Sequence, residues 1–461
     1  MKGKYIFLTL AASAALILMS AATLTAQNEG QDMRPNPPLD PSIKATFVHL
    51  GNGEPGVMYE PVNPGPKAQI AVFVMHSAND FLTHSACTQL SVRGYRVFCV
   101  NNSNDKTGAF NIGVERSLLQ AKAAMNYLRK YPGVKKIVLW GHSGGATVMT
   151  SYQNIAENGV KVCQDDAKLI KCPDNLAGLP PADGVILGDA NWGLPIITLL
   201  GIDPAVTNDN GMVLNPDLNM FNPKNGFDPA GSHYSKEFLN RYLAAEGKRN
   251  NALIDLAEQR LAAIKAGKGM YSDDEPFIIA GASFTTHTLY GTDMSLFAHT
   301  EKPQQLLHPD GSITTEIVHS VRVPELTNSP SPTMRGALKT TVTAYLSTYA
   351  IRTTDAYGYG EDDNLRGVEW KSSWASPPGN VEGIAVPFLT LGMTGSYEHS
   401  MAETLHNHVK STDKTLVYVE GATHGYSVCK KCEKTPGQYG DTIKTIYDYT
   451  DRWLSKPGRF M

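Results

Sequence analysis

Short apolar runs of strand length alternate with helix-periodic segments between Ile70 and Leu187, and this alternation restricts the fold more than any other feature of the chain. The runs are Ile70–Met75, Tyr95–Val100, Lys136–Trp140 and Val185–Leu187. Between them, Thr83–Val92 has helical character. Val114, Leu118, Ala121, Met125 and Leu128 recur on one helical face, and Ala146–Asn158 forms a third helical segment. Strands that alternate with crossover helices pair in parallel and are covered on both faces. The rhythm stops near Trp192. It resumes with a strand at Pro387–Leu391, a helix at Ala402–Val409, a strand at Thr415–Val419 and a helix at Thr442–Leu454. The interval, residues 194–384, is too long for a loop and contains helical runs at Ser235–Ala266 and Arg335–Ile351. The expected class is therefore α/β: a doubly wound, mostly parallel sheet built from residues 44–193 and 385–461, with an inserted, mainly helical cap domain at 194–384.

The N-terminus carries Lys2 and Lys4, then an apolar run from Tyr5 to Met19, then the small residues Ser20, Ala21, Ala22 and Thr23. This is the layout of a secretory signal peptide, assigned to residues 1–26, with cleavage expected after Ala22 or Ala26. A Pro-rich lead-in, residues 27–43, follows. Export to a periplasmic or extracellular space makes disulfides the natural state of the six cysteines. The simplest pairings are local: Cys87 with Cys99, Cys163 with Cys172, and Cys429 with Cys432. No second long apolar stretch occurs, so no integral membrane segment is expected in the mature chain. The formal net charge is -3 and basic runs are short, which argues against nucleic acid as a partner.

Trp140-Gly141-His142-Ser143-Gly144-Gly145 joins an expected strand to an expected helix and fits the pattern Gly-x-Ser-x-Gly. Glycines on both sides let the backbone double back, which exposes the serine hydroxyl and aims free helix N–H groups at developing negative charge. A serine hydroxyl needs an imidazole base, and the base needs an orienting acceptor. The order of elements around Ser143 resembles the α/β-hydrolase superfamily over nearly all of the mature chain outside the cap.

That resemblance implies roles for further residues. The family's base lies after the last strand, where this chain reads Glu420-Gly421-Ala422-Thr423-His424-Gly425, so His424 matches it. The oxyanion loop follows the third strand. Here it reads His76-Ser77-Ala78, with Ser77 in place of the usual glycine, and His76 is expected to brace the loop. One donor is the N–H of Ser77 or Ala78, and the other is that of Gly144. The acid has two candidates. Glu398 follows the strand where the family usually carries it, and the commonest acid position there holds Gly395. Asp189 ends the strand after the nucleophile, a position some members use. His84 and His399 are expected near the cleft entrance. The cap aromatics Phe284, Tyr290, Phe297, Tyr357, Tyr359, Trp370 and Trp374 either meet substrate or fill core. His406 and His408 lie two apart on one helix and do not suit a single metal.

The resemblance implies an exported serine hydrolase that cleaves a carboxylic ester through an acyl-enzyme, with a small-molecule or polymeric ester as substrate and no metal or organic cofactor. Amide or peptide cleavage, and cleavage of a carbon–carbon bond beside a ketone, use the same triad. A binding protein without activity on the same fold is the alternative from another class.

Overall fold

Side chains along the central strands divide by parity. Ala71 and Phe73 enter one apolar cluster, whereas Ile70, Val72 and Val74 enter another. Ile137 and Leu139 separate from Val138 and Trp140 in the same way. A strand buried on both faces must feed two cores, and helices supply the far side of each. The computed structural model describes residues 38–51, 53–104, 113–208, 213–282, 288–324, 336–361 and 364–461. The signal-peptide assignment to residues 1–26, the lead-in as far as residue 37, and Phe284, His287 and Arg335 lie outside the described residues.

The strands are β1 (Ile43–His49), β2 (Pro55–Pro61), β3 (Ile70–Val74), β4 (Arg96–Val100), β5 (Lys136–His142) and β6 (Gly184–Gly188). The inserted segment contributes β7 (Pro276–Ala280), β8 (Gln304–Leu307), β9 (Ile313–Glu316), β10 (Ala337–Thr341), β11 (Thr353–Gly358) and β12 (Arg366–Val368). Finally come β13 (Phe388–Met393) and β14 (Lys414–Val419). Ten of these form one sheet in the order β1-β2-β4-β3-β5-β6-β13-β14-β8-β9. From β4 to β8 every neighbouring pair is parallel. Antiparallel strands close both ends, β1 and β2 at one and β9 at the other. Helices α1 (Ser85–Val92), α2 (Val114–Lys130), α3 (Gly145–Asn158) and Thr442–Leu454 flank the sheet. This is the α/β-hydrolase fold.

The inserted segment holds helices α4 (Leu194–Leu199) and α5 (Lys236–Lys265). The Ser235 hydroxyl caps α5 by accepting from the Phe238 N–H at 3.2 Å. Two small sheets stand apart from the main one, β10 with β7 and β11 with β12. Two features depart from the sequence expectation. The helical run expected from residue 335 to 351 is helical only over Val342–Tyr349, an α-helical turn that widens into a π-helix, and its first part is the strand β10. Thr340 and Thr341 are β-branched, and β7 offers a ladder partner from Pro276 to Ala280. In addition, β8 leaves the insertion to pair with β14, so part of the inserted segment extends the core sheet.

All three local cysteine pairs form disulfides, Cys87–Cys99, Cys163–Cys172 and Cys429–Cys432. No helix among the described residues is long and apolar enough to cross a membrane. Cys87–Cys99 ties α1 to β4 across 12 positions inside the core. Replacing both residues by alanine should lower unfolding stability by about 3 kcal/mol, chiefly from the freed denatured chain. Urea denaturation checks this, and a variant as stable as the parent would show that the link contributes nothing.

Candidate active site

The parallel register aligns the carboxyl ends of neighbouring strands. His142 at the end of β5 pairs with Gly188 at the end of β6, and Gly188 pairs with Leu391 of β13. Met393 at the end of β13 pairs with Val419 at the end of β14. The loops that follow carry Ser143, Asp189, Glu398 and His424, so the sheet delivers all four to one edge. Ligands of open α/β sheets bind at this edge.

Ser143 has φ 51°, in the left-handed region that non-glycine residues seldom occupy. Its N–H donates to the Asp189 carbonyl at 3.2 Å, and its own carbonyl accepts from the Ala146 N–H at 3.0 Å as α3 begins. The glycines around it are required by contact. A Cβ on Gly141 would stand 3.0 Å from the Gly145 carbonyl oxygen, and one on Gly145 would stand 2.8 Å from that of Met75. A side chain on Gly144 would run into Ser77 Oγ and the His76 ring. Ser143 itself remains partly exposed.

Asp189 also has a positive φ, 43°. Its Oδ2 accepts from His424 Nδ1 at 2.7 Å and from the Ser396 hydroxyl at 2.6 Å. Oδ1 accepts from the Met393 N–H at 3.2 Å. Glu398 Oε2 stands 3.5 Å from the same His424 Nδ1. Both acid candidates are therefore at the histidine, with Asp189 in hydrogen-bond contact and Glu398 a step further off. Burial pushes both carboxyls up, and the donors on Asp189 oppose that rise. Asp189, Glu398 and His424 also form the one group of potential metal ligands among the described residues, with donor atoms within 4.8 Å of one another. At 2.7 Å the imidazole Nδ1–H donates to Asp189, and a donating Nδ1 has no lone pair for a metal.

On the loop after β3, the His76 ring accepts at Nδ1 from the N–H groups of Ala78 at 3.0 Å and Asn79 at 2.8 Å. The ring thus braces the loop and occupies the Ala78 donor. The N–H groups of Ser77 and Gly144 meet no acceptor among the described residues. Asn102 and Asn104 hold the Ser77 carbonyl from the other side.

Three supporting side chains had no clear signal in the sequence. Ser396 binds Asp189 as above. His142 Nε2 lies 2.8 Å from the His424 carbonyl and pins the backbone of that loop. Tyr426, with φ 69°, sets its ring 4.8 Å from that of His142. The residue between glycine and serine in the elbow was the one available hint of His142.

His399 does not line an entrance: it is buried against the Tyr418 ring at 4.8 Å, and neither ring nitrogen has a hydrogen-bond partner among the described residues. His84 caps α1 and stacks on Phe81. Trp370 packs against His408 and Trp374 is core. Phe297, Tyr290 and Tyr359 form a buried aromatic group, and Phe297 reaches Trp192, three residues beyond Asp189.

A scan against family models finds no match, and neither does a search of curated proteins. Solved structures similar to this chain include carboxyl esterase 2 from the mycorrhizal fungus Tuber melanosporum, at 12% identity and TM-score 0.39, covering 92% of this chain and 90% of that one. A monoacylglycerol lipase of Paleococcus ferrophilus matches at 10% identity and TM-score 0.35, covering 89% and 98%. A Rhizomucor miehei esterase matches at 13% identity and TM-score 0.37, covering 92% and 84%. Likeness this distant carries no functional weight. The fold follows from the strand order and from the strand–turn–helix at Ser143.

Burial holds His84 and His399 down to about 3 and His142 well below the ordinary histidine range. The unfolded chain takes up these protons below about pH 6.5, while the folded protein refuses them, so the neutral rings' contribution is present above that value and lost on acidification. His399→Leu should flatten the slope of unfolding free energy against pH by about 1.4 kcal/mol per pH unit between about pH 4 and 6. Urea titrations across that range measure the slope, and an unchanged value would contradict a neutral buried His399.

Proposed function

We propose that this protein is an exported serine hydrolase that cleaves a carboxylic ester through an acyl-enzyme. The observation that carries the proposal is the Asp189–His424 hydrogen bond, made beside a serine on a left-handed strand-to-helix turn. An aspartate bound to Nδ1 fixes the tautomer and leaves proton transfer to Nε2. In the proposed reaction His424 Nε2 takes the Ser143 proton as Oγ attacks the ester carbonyl. Asp189 stabilises the imidazolium, and the N–H groups of Gly144 and Ser77 receive the oxyanion. Occupation of the Ala78 N–H by His76 favours Ser77 as the second donor. His424 then protonates the leaving alcohol, and water, activated by the same imidazole, releases the acid. The proposed mechanism routes no step through a metal or organic cofactor.

Residues 194–384 are proposed as the cap that shapes the substrate site, through aromatic residues such as Phe297 next to the Asp189 loop. Export is supported by the signal-like N-terminus and by three disulfides. Esters are preferred to amides because their leaving groups require the least assistance.

A fluorophosphonate probe should label Ser143 and nothing else. Ser143→Ala should abolish labelling, and Ser143→Ala or His424→Ala should each lower kcat on a chromogenic ester by about 10⁶-fold. Mass spectrometry of the labelled peptide checks the first result and steady-state kinetics the second. An unlabelled protein with no turnover of short-chain acyl esters would sink the hydrolase reading. Faster turnover of the matching anilides would replace ester by amide.

A further inference from the structure

Glu398 has no role in the reaction just outlined, yet it is placed with care. Its side chain is 1% exposed, and Oε2 points to within 3.5 Å of His424 Nδ1 without any hydrogen-bond partner among the described residues. A buried carboxyl with an unpaired oxygen is costly, and retaining one beside the base calls for a reason. Its backbone is fixed to the acid opposite. The Glu398 N–H donates to Ser396 Oγ at 3.1 Å, and the Ser396 hydroxyl donates onward to Asp189 Oδ2 at 2.6 Å. One serine therefore sets the spacing of the two carboxyls around a single imidazole.

We infer that Glu398 is a positioning residue that acts on His424 together with Asp189, so that two carboxyls rather than one stand behind the base. This inference rests on the reading of Ser143 and His424 as nucleophile and base. The two carboxyls differ in their surroundings. Asp189 accepts from His424, Ser396 and Met393, and three donors favour its ionised form. The charged or titratable groups facing Glu398 are His424 on the loop after β14, Asp189 on the loop after β6, and the Tyr426 phenol, while Asn191 supplies a neutral donor. Burial first, and the Asp189 charge after the opposing pull of His424, push the Glu398 carboxyl up to about 8.

Of the two carboxyls, Glu398 is the one that keeps its proton to higher pH, because Asp189 has three donors and Glu398 does not. As the pH rises further Glu398 releases its proton to solvent, and a second negative charge faces the imidazolium that forms when His424 takes the serine proton. Opposite charge at this distance favours the charged imidazole, so the transition state gains and turnover rises on the alkaline side. Removing the Asp189 charge removes the repulsion that adds to burial in keeping Glu398 protonated. Glu398 then ionises at lower pH and can accept from Nδ1 in place of Asp189.

The test measures kcat and KM across about pH 6 to 10 for the full mature chain, with p-nitrophenyl butyrate as the probe ester, in wild type, Glu398→Gln, Asp189→Asn and the double variant. Wild type should show a rise in kcat through about pH 8, and Glu398→Gln should lose that rise with KM little changed. Asp189→Asn should lose less than the roughly 10⁴-fold expected when a sole triad acid is neutralised, whereas the double variant should lose all of it. The low-field proton NMR signal of the His424 Nδ1–H should move through the same pH window in wild type and stay flat in Glu398→Gln, a readout that needs no turnover. Superimposable pH profiles for wild type and Glu398→Gln, or equal losses for Asp189→Asn and the double variant, would overturn the inference. If Glu398→Gln does not fold, the Asp189→Asn profile decides, since its activity must still rise with ionisation of Glu398. A wild type that neither labels nor turns over, while its NMR signal still titrates, would condemn the hydrolase reading and leave the coupling of the two groups intact.

Discussion

A 2.7 Å hydrogen bond between Asp189 and His424 joins loops that lie 235 residues apart, and the arrangement of the site depends on it. It can form because β6, β13 and β14 are adjacent and parallel, so their ends come level and their loops emerge side by side. The Ser143 N–H continues the same alignment one strand over by donating to the Asp189 carbonyl. Asp189 thus contacts the serine loop through its backbone and the histidine loop through its side chain. A shift in the register of β6 would disturb both contacts together.

Bringing side chains this close has a conformational cost. Ser143, Asp189 and Tyr426 all adopt left-handed backbone angles, and each such residue costs about 1–3 kcal/mol. Glycine would adopt these angles without that cost, but the Asp189 carboxylate holds His424 and Ser396, and the Tyr426 ring packs against that of His142. The surrounding structure supplies the opposing force. Trp140, Tyr426 and Tyr447 are fully buried beside the site, and the glycines of the elbow let α3 seat against β3 and β5 without a clash. His142, neutral through burial, holds the His424 carbonyl from beneath.

Much of the frame was legible in the chain because its signals are local. The strands from Ile70 to Leu187, the elbow at Ser143 and the strand before His424 each show as an apolar run beside a turn, within a few residues. The choice between Asp189 and Glu398 was not legible. It depends on a loop path near Ser396, and the structure brings both carboxyls to one imidazole. The β1–β2 hairpin gave no signal because β1 is an edge strand with mostly exposed side chains and so lacks an apolar run. Of the helix expected over residues 335–351, Val342–Tyr349 is helical, whereas Ala337–Thr341 is drawn into a ladder with Pro276–Ala280, a partner some sixty positions away that the local pattern does not name. The pairing of β8 with β14 was hidden for the same reason, since nothing in the four residues Gln304–Leu307 names a partner more than a hundred positions away.

That pairing limits how the inserted segment can move. The β8 ladder on β14, the Glu420 N–H donating to the Leu307 carbonyl and the 2.8 Å contact of His308 with Glu420 anchor the insertion to the strand and loop that lead to His424. Further along, the Val321 N–H donates to the Thr394 carbonyl beside the Glu398 loop. An insertion joined to the body only at its two chain ends could swing like a door. This one is also riveted along its middle, so it cannot swing away as a unit without breaking the β8–β14 ladder.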